Sequence, residues 1–125
     1  MDASALTKLV IHELETGPLQ DVVRGRSLVS SRVAIVEVTK AVARANPDAD
    51  PCHQLFALLS FVEFDRDLAS VAGATGGPGL RSLDAIHIAA ALRLGVEIEA
   101  FITYDTRQAV AARAAGLHVI SPGSG

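Results

Sequence analysis

Four acidic residues stand where an ionised carboxylate is either surrounded by apolar residues or placed beside an apolar stretch. Glu37 lies in RVAIVEVTKAVA and Asp84 lies in LRSLDAIHIAAAL, two segments dominated by apolar residues. Asp2 follows Met1 at the start of the chain, and Asp105 directly follows FITY. A carboxylate in an apolar setting is costly unless it is paired or binds a metal ion. Each of the four acids is therefore a candidate metal ligand.

Glu37 and Asp84 also have interpretations that involve no chemistry. Glu37 stands three residues before Lys40 and can form an ion pair with it along a helix. Asp84 would lie in the first turn of a helix that Ser82 can cap, where a negative charge suits the helix dipole. These two residues therefore leave a structural and a functional interpretation open.

Asp2 and Asp105 each fit a helix N-cap, and Gln108 would complete a capping box with Asp105. In a parallel α/β sheet, helix starts gather at the carboxyl ends of the strands. We therefore expect both aspartates at one edge of the sheet, with Glu37 and Asp84 reaching the same cleft from helices. Four converging carboxylates repel one another, and oxygen ligands suit Mg²⁺ or Mn²⁺. The set has no Cys or His ligand, which argues against zinc.

The elements that must position these acids alternate between helical segments and short apolar stretches. Gly95 and Gly116 end two of the helices favourably. The alternation predicts an α/β domain with a central, mostly parallel sheet flanked by helices. Helices are predicted over 3–14, 19–24, 32–45, 55–59, 67–73, 83–94 and 106–115, and strands over 28–31, 61–64, 100–104 and 118–120.

Length and composition place further limits on the protein. The chain has 125 residues, which suits one domain over residues 1–125. No run reaches the roughly eighteen apolar residues of a membrane span, and no leader sequence is visible. Cys52 is the only cysteine, so no intrachain disulfide is possible and a cytoplasmic location is expected.

The formal net charge of -3 argues against a nucleic-acid-binding protein, because neutralising phosphates usually requires a basic surplus. Two features weaken this objection. Nine of the eleven basic residues are Arg, the better bidentate phosphate ligand. In addition, divalent cations bound to an acidic cluster would present positive charge to a substrate.

The segments DASALTKL, VAIVEVTKA, LRSLDAIHIAAAL, FITYDTR and HVISPG, in this order, resemble the VapC toxins of bacterial toxin-antitoxin pairs, which have the PIN-domain fold. The most specific part is LRSLDAIHIAAAL followed by T-x-D at residues 103–105. The resemblance implies an endoribonuclease that uses Mg²⁺, or Mn²⁺ as a substitute, to cleave RNA. Its catalytic, metal-binding acids would be Asp2, Glu37, Asp84 and Asp105.

The resemblance also implies supporting hydroxyls at Ser4 and Thr103, which would orient the site. Arg81 either touches an RNA phosphate or is a simple surface residue, and His87 is expected to be a polar core or interface residue. The implied assembly is a homodimer bound to a VapB-like antitoxin, which should insert a basic side chain near the acids. The candidate contact residues are Leu55, Phe56 and Leu59.

One feature departs from the family pattern. Family members carry a short apolar strand before the first aspartate, whereas only Met1 precedes Asp2 here. We therefore expect the native chain to begin several residues earlier, with an apolar strand that leads into Asp2. The alternative function is a catalytically impaired PIN-like binding scaffold that lacks its first strand.

Two other enzyme classes fit poorly. A phosphorylatable receiver-like domain would need an adjacent acid pair after the first strand and a lysine after a late strand, and neither is visible. The glycine-rich ATGGPG at residues 74–79 lacks the G-K-[ST] ending of a phosphate-binding loop. It is interpreted as a flexible connection.

Overall fold

The computed structural model describes residues 1–48 and 52–124. Helices and short strands alternate along these residues, with one 3₁₀ turn at Gly95–Glu97. The elements, in chain order, are α1 (Ala3–Val10), α2 (Thr16–Val23), β1 (Leu28–Ser31), α3 (Ala34–Ala45), α4 (His53–Ala57), β2 (Leu59–Val62), α5 (Arg66–Gly73), α6 (Ser82–Leu94), β3 (Phe101–Ile102), α7 (Thr106–Ala114) and β4 (Val119–Ile120).

The strands form two separate parallel pairs. In the first pair, β1 lies beside β2, with Leu28 opposite Leu59. In the second pair, β3 lies beside β4, with Phe101 opposite Val119. The expected α/β class with parallel strands is confirmed. The expected single central sheet is replaced, among the described residues, by two two-stranded ladders.

The first two residues of the chain connect the two strand pairs. The Met1 amine donates a hydrogen bond to the Val29 carbonyl oxygen of β1 at 2.9 Å. The Asp2 N–H donates to the Ile102 carbonyl oxygen of β3 at 3.2 Å. Consecutive residues that bond to neighbours on opposite sides are typical of a central strand. Met1 and Asp2 therefore hold the position of the last two residues of such a strand.

A cavity of about 810 Å³ lies between the two strand pairs. Its walls include Met1, β1 and β3, and Ala90, Ala91 and Leu94 of α6 also line it. The cavity therefore lies along the facing edges of the two ladders, where Met1 is one of its lining residues.

Helix α6 connects the two halves of the core. Ala85 and Ala89 pack with Val62 of β2 and Leu68 of α5. Ile88 and Ala91 pack with the second strand pair and α7, in a cluster that includes Phe101 and Ala112. Small alanine side chains on several faces allow neighbouring elements to approach α6 closely. This packing fixes the first turn of α6, which carries Asp84.

Helix α3 differs from its prediction as a buried helix. Ala34, Val38 and Val42 are buried in a cluster with Leu6 of α1, whereas Val36 is 59% exposed. The sequence is apolar on most sides, but α3 packs mainly against α1. Glu37 is therefore only partly covered, at 24% side-chain exposure.

Several predicted boundaries also move. Helix α1 ends at Val10 rather than Leu14, and Leu14 is 95% exposed. Strand β3 spans only Phe101–Ile102. The stretch 46–51, whose composition is typical of a loose connection in the sequence, lies partly outside the described residues. Within the residues that the structure describes, no helix combines the length and hydropathy needed to cross a bilayer.

Candidate active site at the acidic edge

Asp2 receives three hydrogen bonds. Its Oδ1 accepts from the Ser4 hydroxyl at 2.6 Å and from the Ala5 N–H at 3.1 Å. Its Oδ2 accepts from the Thr103 hydroxyl at 2.5 Å. Asp2 is 3% exposed, so these donors replace the water that a buried carboxylate has lost. The bond from Ala5 confirms Asp2 as the N-cap of α1.

The hydroxyls of Ser4 and Thr103 are themselves held by backbone groups. Ser4 Oγ accepts from the Tyr104 N–H at 2.9 Å. Thr103 Oγ1 accepts from the Asp105 N–H at 3.1 Å. Each hydroxyl can therefore direct its proton to Asp2. The two side chains lie where the resemblance implies and orient the first acid of the site.

The amino terminus adds a buried basic group next to this carboxylate. Burial lowers the pKa of the Met1 amine from 8.0 to about 6, and the negative charge of Asp2 partly offsets this effect. A positive charge at Met1 is thus disfavoured even though an acid is adjacent in the sequence.

Asp105 is the N-cap of α7, as predicted. Its Oδ1 accepts from the N–H groups of Arg107 at 2.9 Å and Gln108 at 3.1 Å. The predicted capping box is wrong, because the buried Gln108 side-chain amide has no hydrogen-bond partner in the described part of the chain. The second oxygen of Asp105 lies 3.3 Å from Arg81 Nη2. One oxygen therefore caps the helix while the other faces the site.

Arg81 bridges Asp105 and Asp84. Its Nε lies 3.4 Å from Asp84 Oδ2. The N-cap position of α6 is Arg81, and no side chain among the described residues caps this helix, so the interpretation of Ser82 as a cap is wrong. The Arg81 side chain is 65% exposed. Solvent weakens its two ion pairs accordingly, and the guanidinium remains accessible to an anion.

Asp84 is the least satisfied of the four acids. Its Oδ2 is buried and has no hydrogen bond among the described residues, and its contact with a cationic group is the ion pair with Arg81 Nε at 3.4 Å. Burial raises the pKa of Asp84, and the negative charges of Asp105 and Asp2 raise it further, while Arg81 lowers it. These effects disfavour the ionised carboxylate at this position, and a nearby positive charge favours it.

Glu37 reaches α6 one turn beyond Asp84. Its Oε1 lies 2.7 Å from Nε2 of His87, whose side chain is 2% exposed. The partner of Glu37 is therefore His87 of α6 and not Lys40 of its own helix. His87 is a buried polar residue, in agreement with its interpretation as part of the core.

The structure thus brings Asp2, Asp84 and Asp105 into one electrostatic neighbourhood, the acidic edge, and Glu37 contacts His87, which lies one helical turn after Asp84. Within residues 1–48 and 52–124, no three His, Cys, Asp or Glu side chains already converge as a metal-binding group. The donors still fit a hard divalent cation, because they are all oxygens and the buried Asp84 Oδ2 has no hydrogen-bond partner. The large cavity between the strand pairs is lined by none of the four acids.

Two features of this edge were not predicted. Arg81 forms ion pairs within the site in addition to its expected roles as a phosphate contact or a surface residue, and its i, i+3 spacing to Asp84 is the sequence signal for one of them. The contact between His87 and Glu37 joins residues 50 positions apart and leaves no local sequence signal.

Comparison with known proteins identifies the class to which this fold and acidic edge belong. The model of the PIN domain matches residues 1–114. Ribonuclease VapC35 of Mycobacterium tuberculosis is 36% identical over 129 residues, which cover 98% of this chain and 96% of the relative. Ribonuclease VapC46 of the same organism is 37% identical over 124 residues, which cover 98% and 95%. Ribonuclease VapC47 is 36% identical over 131 residues, which cover 99% and 96%. The chain belongs to the PIN-domain family and, within it, to the VapC type.

Proposed function

We propose that this protein is a metal-dependent endoribonuclease that acts in the cytoplasm as the toxin of a type II toxin-antitoxin pair. The observation that carries the proposal is the buried Asp84 Oδ2, which has no hydrogen bond among the described residues and lies beside the charges of Asp105 and Asp2. The similarity to relatives named ribonucleases supports RNA as the substrate.

The residues that would hold the ion are Asp2, Glu37, Asp84 and Asp105. When bound, Mg²⁺ or Mn²⁺ lowers the pKa of a coordinated water, orients the scissile phosphate and stabilises charge on the leaving oxygen. The carboxylates gain the positive charge that Asp84 now obtains only in part from Arg81.

Side chains at the acidic edge are already positioned in a way that suits the binding of an RNA phosphate. Ser4 and Thr103 fix the orientation of Asp2 through hydroxyl donors, so that no large rearrangement of that carboxylate is needed. Arg81 is 65% exposed and its guanidinium matches the geometry of a phosphate. With a cation held by Asp84 and Asp105, the Arg81 guanidinium that now pairs with them would be available to bind the RNA backbone.

The proposed partners are a VapB-like antitoxin and a second copy of this chain. Leu55, Phe56 and Leu59 are half-buried against the core cluster that includes Leu6, whereas Leu58 is 73% exposed. The apolar group around α4 is therefore only partly covered within the monomer. Light scattering that finds only monomers, both alone and with the neighbouring gene's product, would contradict this assembly.

The proposed activity is tested with purified protein, single-stranded RNA and Mg²⁺ or Mn²⁺, with chelator as the metal-free control. The diagnostic variant is Asp84→Asn, and the matched control is Asp67→Asn. Asp67 also lies in the first turn of a helix but is exposed. We expect metal-dependent cleavage that Asp84→Asn abolishes and Asp67→Asn preserves. A folded wild-type protein that cleaves no RNA with either metal would favour the binding scaffold instead.

A further inference from the structure

A buried histidine contacts one of the proposed metal ligands without contacting the other acids in any hydrogen bond that the structure shows. His87 Nε2 lies 2.7 Å from Glu37 Oε1. His87 is 3% exposed, so bulk water cannot take the place of this partner. The contact joins α3 to α6, one helical turn after Asp84.

We propose that His87 is a positioning residue that holds the Glu37 carboxylate at the acidic edge. The inference rests on the proposed function, because it takes Glu37 as one of the metal ligands. His87 is too buried to meet RNA directly, so it acts through Glu37.

The chemistry of the pair sets the direction of the hydrogen bond. An ionised carboxylate only accepts hydrogen bonds, so His87 must donate from Nε2. This bond occupies Oε1, and the carboxylate has a second oxygen with which to bind a cation. Hydrogen bonds from protein groups to ligating carboxylates orient those ligands and tune metal affinity.

The packing of α3 explains why Glu37 needs such a partner. The helix is anchored by Ala34, Val38 and Val42 on the face toward α1. Glu37 projects from a less covered part of the helix, with 24% side-chain exposure. A long side chain in this setting can adopt several rotamers. The rigid, buried ring of His87 selects those in which the carboxylate lies against α6.

The test uses two substitutions that differ in where they place a side-chain amide. Gln places its N–H₂ close to the position of the histidine Nε2, whereas Asn places it close to Nδ1 and cannot reach Glu37. Mn²⁺ affinity is measured by calorimetry for His87→Gln and His87→Asn, each also in a Glu37→Gln background. Thermal melting shows whether each variant folds, and kcat and KM are measured on RNA.

We expect His87→Asn to weaken Mn²⁺ binding about 10- to 100-fold and His87→Gln to retain most of the affinity. RNA cleavage should lose kcat with little change in KM, because His87 does not touch the substrate. In the Glu37→Gln background, His87→Asn should weaken Mn²⁺ binding no further. Equal losses in both backgrounds, or a lower melting temperature with unchanged Mn²⁺ affinity, would show a purely structural role and overturn the inference.

Three further cases complete the interpretation of this experiment. If His87→Asn does not melt cooperatively, His87→Leu takes its place, because it fills the site without a hydrogen-bond donor: a tenfold loss of Mn²⁺ affinity relative to His87→Gln supports the inference, and equal affinities overturn it. If the wild-type protein binds Mn²⁺ and cleaves RNA and His87→Asn does both equally well, the role of His87 is refuted while the proposed function stands. A wild-type protein that does neither refutes the proposed function.

Discussion

Replacing Thr103 with Val should destabilise the protein strongly, although the two side chains are nearly the same size. Thr103 is fully buried. Its hydroxyl donates to Asp2 at 2.5 Å and accepts from the Asp105 N–H at 3.1 Å. The substitution Thr103→Val removes both bonds and puts a methyl group beside a buried carboxylate.

The expected magnitude follows from the two lost partners. A hydrogen bond to a charged group contributes roughly 1.5 to 3 kcal/mol, and a buried polar group left without a partner costs about 1 to 3 kcal/mol. Asp2 keeps its hydrogen bonds from Ser4 and Ala5. The free-energy cost of removing the Thr103 donor from this carboxylate is therefore limited. We therefore expect a loss of about 3 to 5 kcal/mol, against a typical total stability of roughly 5 to 15 kcal/mol.

The assay is equilibrium unfolding in urea at neutral pH without metal, and the matched control is Thr39→Val. Thr39 lies in the middle of α3 and is exposed, so the same chemical change there should shift stability by less than about 0.5 kcal/mol. A Thr103→Val variant as stable as Thr39→Val would refute the view that the hydroxyl holds Asp2 in place.

Three further predictions concern other parts of the molecule. Arg81→Met should raise the pKa of Asp84 further, because Arg81 now lowers it; an unchanged NMR titration of Asp84 would contradict this. The ion pair with Arg93 lowers the pKa of Asp65 from 3.8 to about 2, so the wild type should melt higher than Asp65→Asn above pH 3.8. This difference in melting temperature should disappear as the pH falls toward 2. A difference that stays constant over this pH range would contradict the prediction. Adding four alternating apolar residues before Met1 should raise the melting temperature, because they can extend the strand position between the two ladders and replace the buried terminal amine with a peptide group. Four added Gly and Ser residues should not raise it.

Much of the fold was predictable because local signals mark several elements. Strand β1 lies where it was predicted. Helices α6 and α7 end at Leu94 and Ala114, each within two residues of a positive-φ glycine, Gly95 or Gly116. Local composition does not show which apolar side of a helix is covered, and this is why α3 was wrongly expected to be buried. It also does not show how far backbone pairing extends, and β3 is accordingly shorter than its apolar stretch.

The candidate site was predictable to the extent that caps and strand ends determine it. Asp2 and Asp105 are N-caps. Because helix starts gather at the carboxyl ends of parallel strands, both were expected at one edge of the sheet. The structure shows that a cap and a site residue need not be alternatives: one oxygen of Asp105 caps α7 while the other faces Arg81. The partner of Glu37 could not be found in the same way, because His87 meets it only through tertiary packing.

The central claim is that the acidic edge binds a divalent cation, and anomalous X-ray diffraction from crystals grown with Mn²⁺ tests it most directly. We predict a Mn²⁺ peak at a coordination distance of about 2 Å from Asp84 Oδ2, with further carboxylate oxygens among Asp2, Glu37 and Asp105 in its coordination shell. Binding requires little rearrangement of Asp2, which three donors already hold. The absence of a peak at saturating Mn²⁺, or a peak that contacts none of these four acids, would contradict the claim.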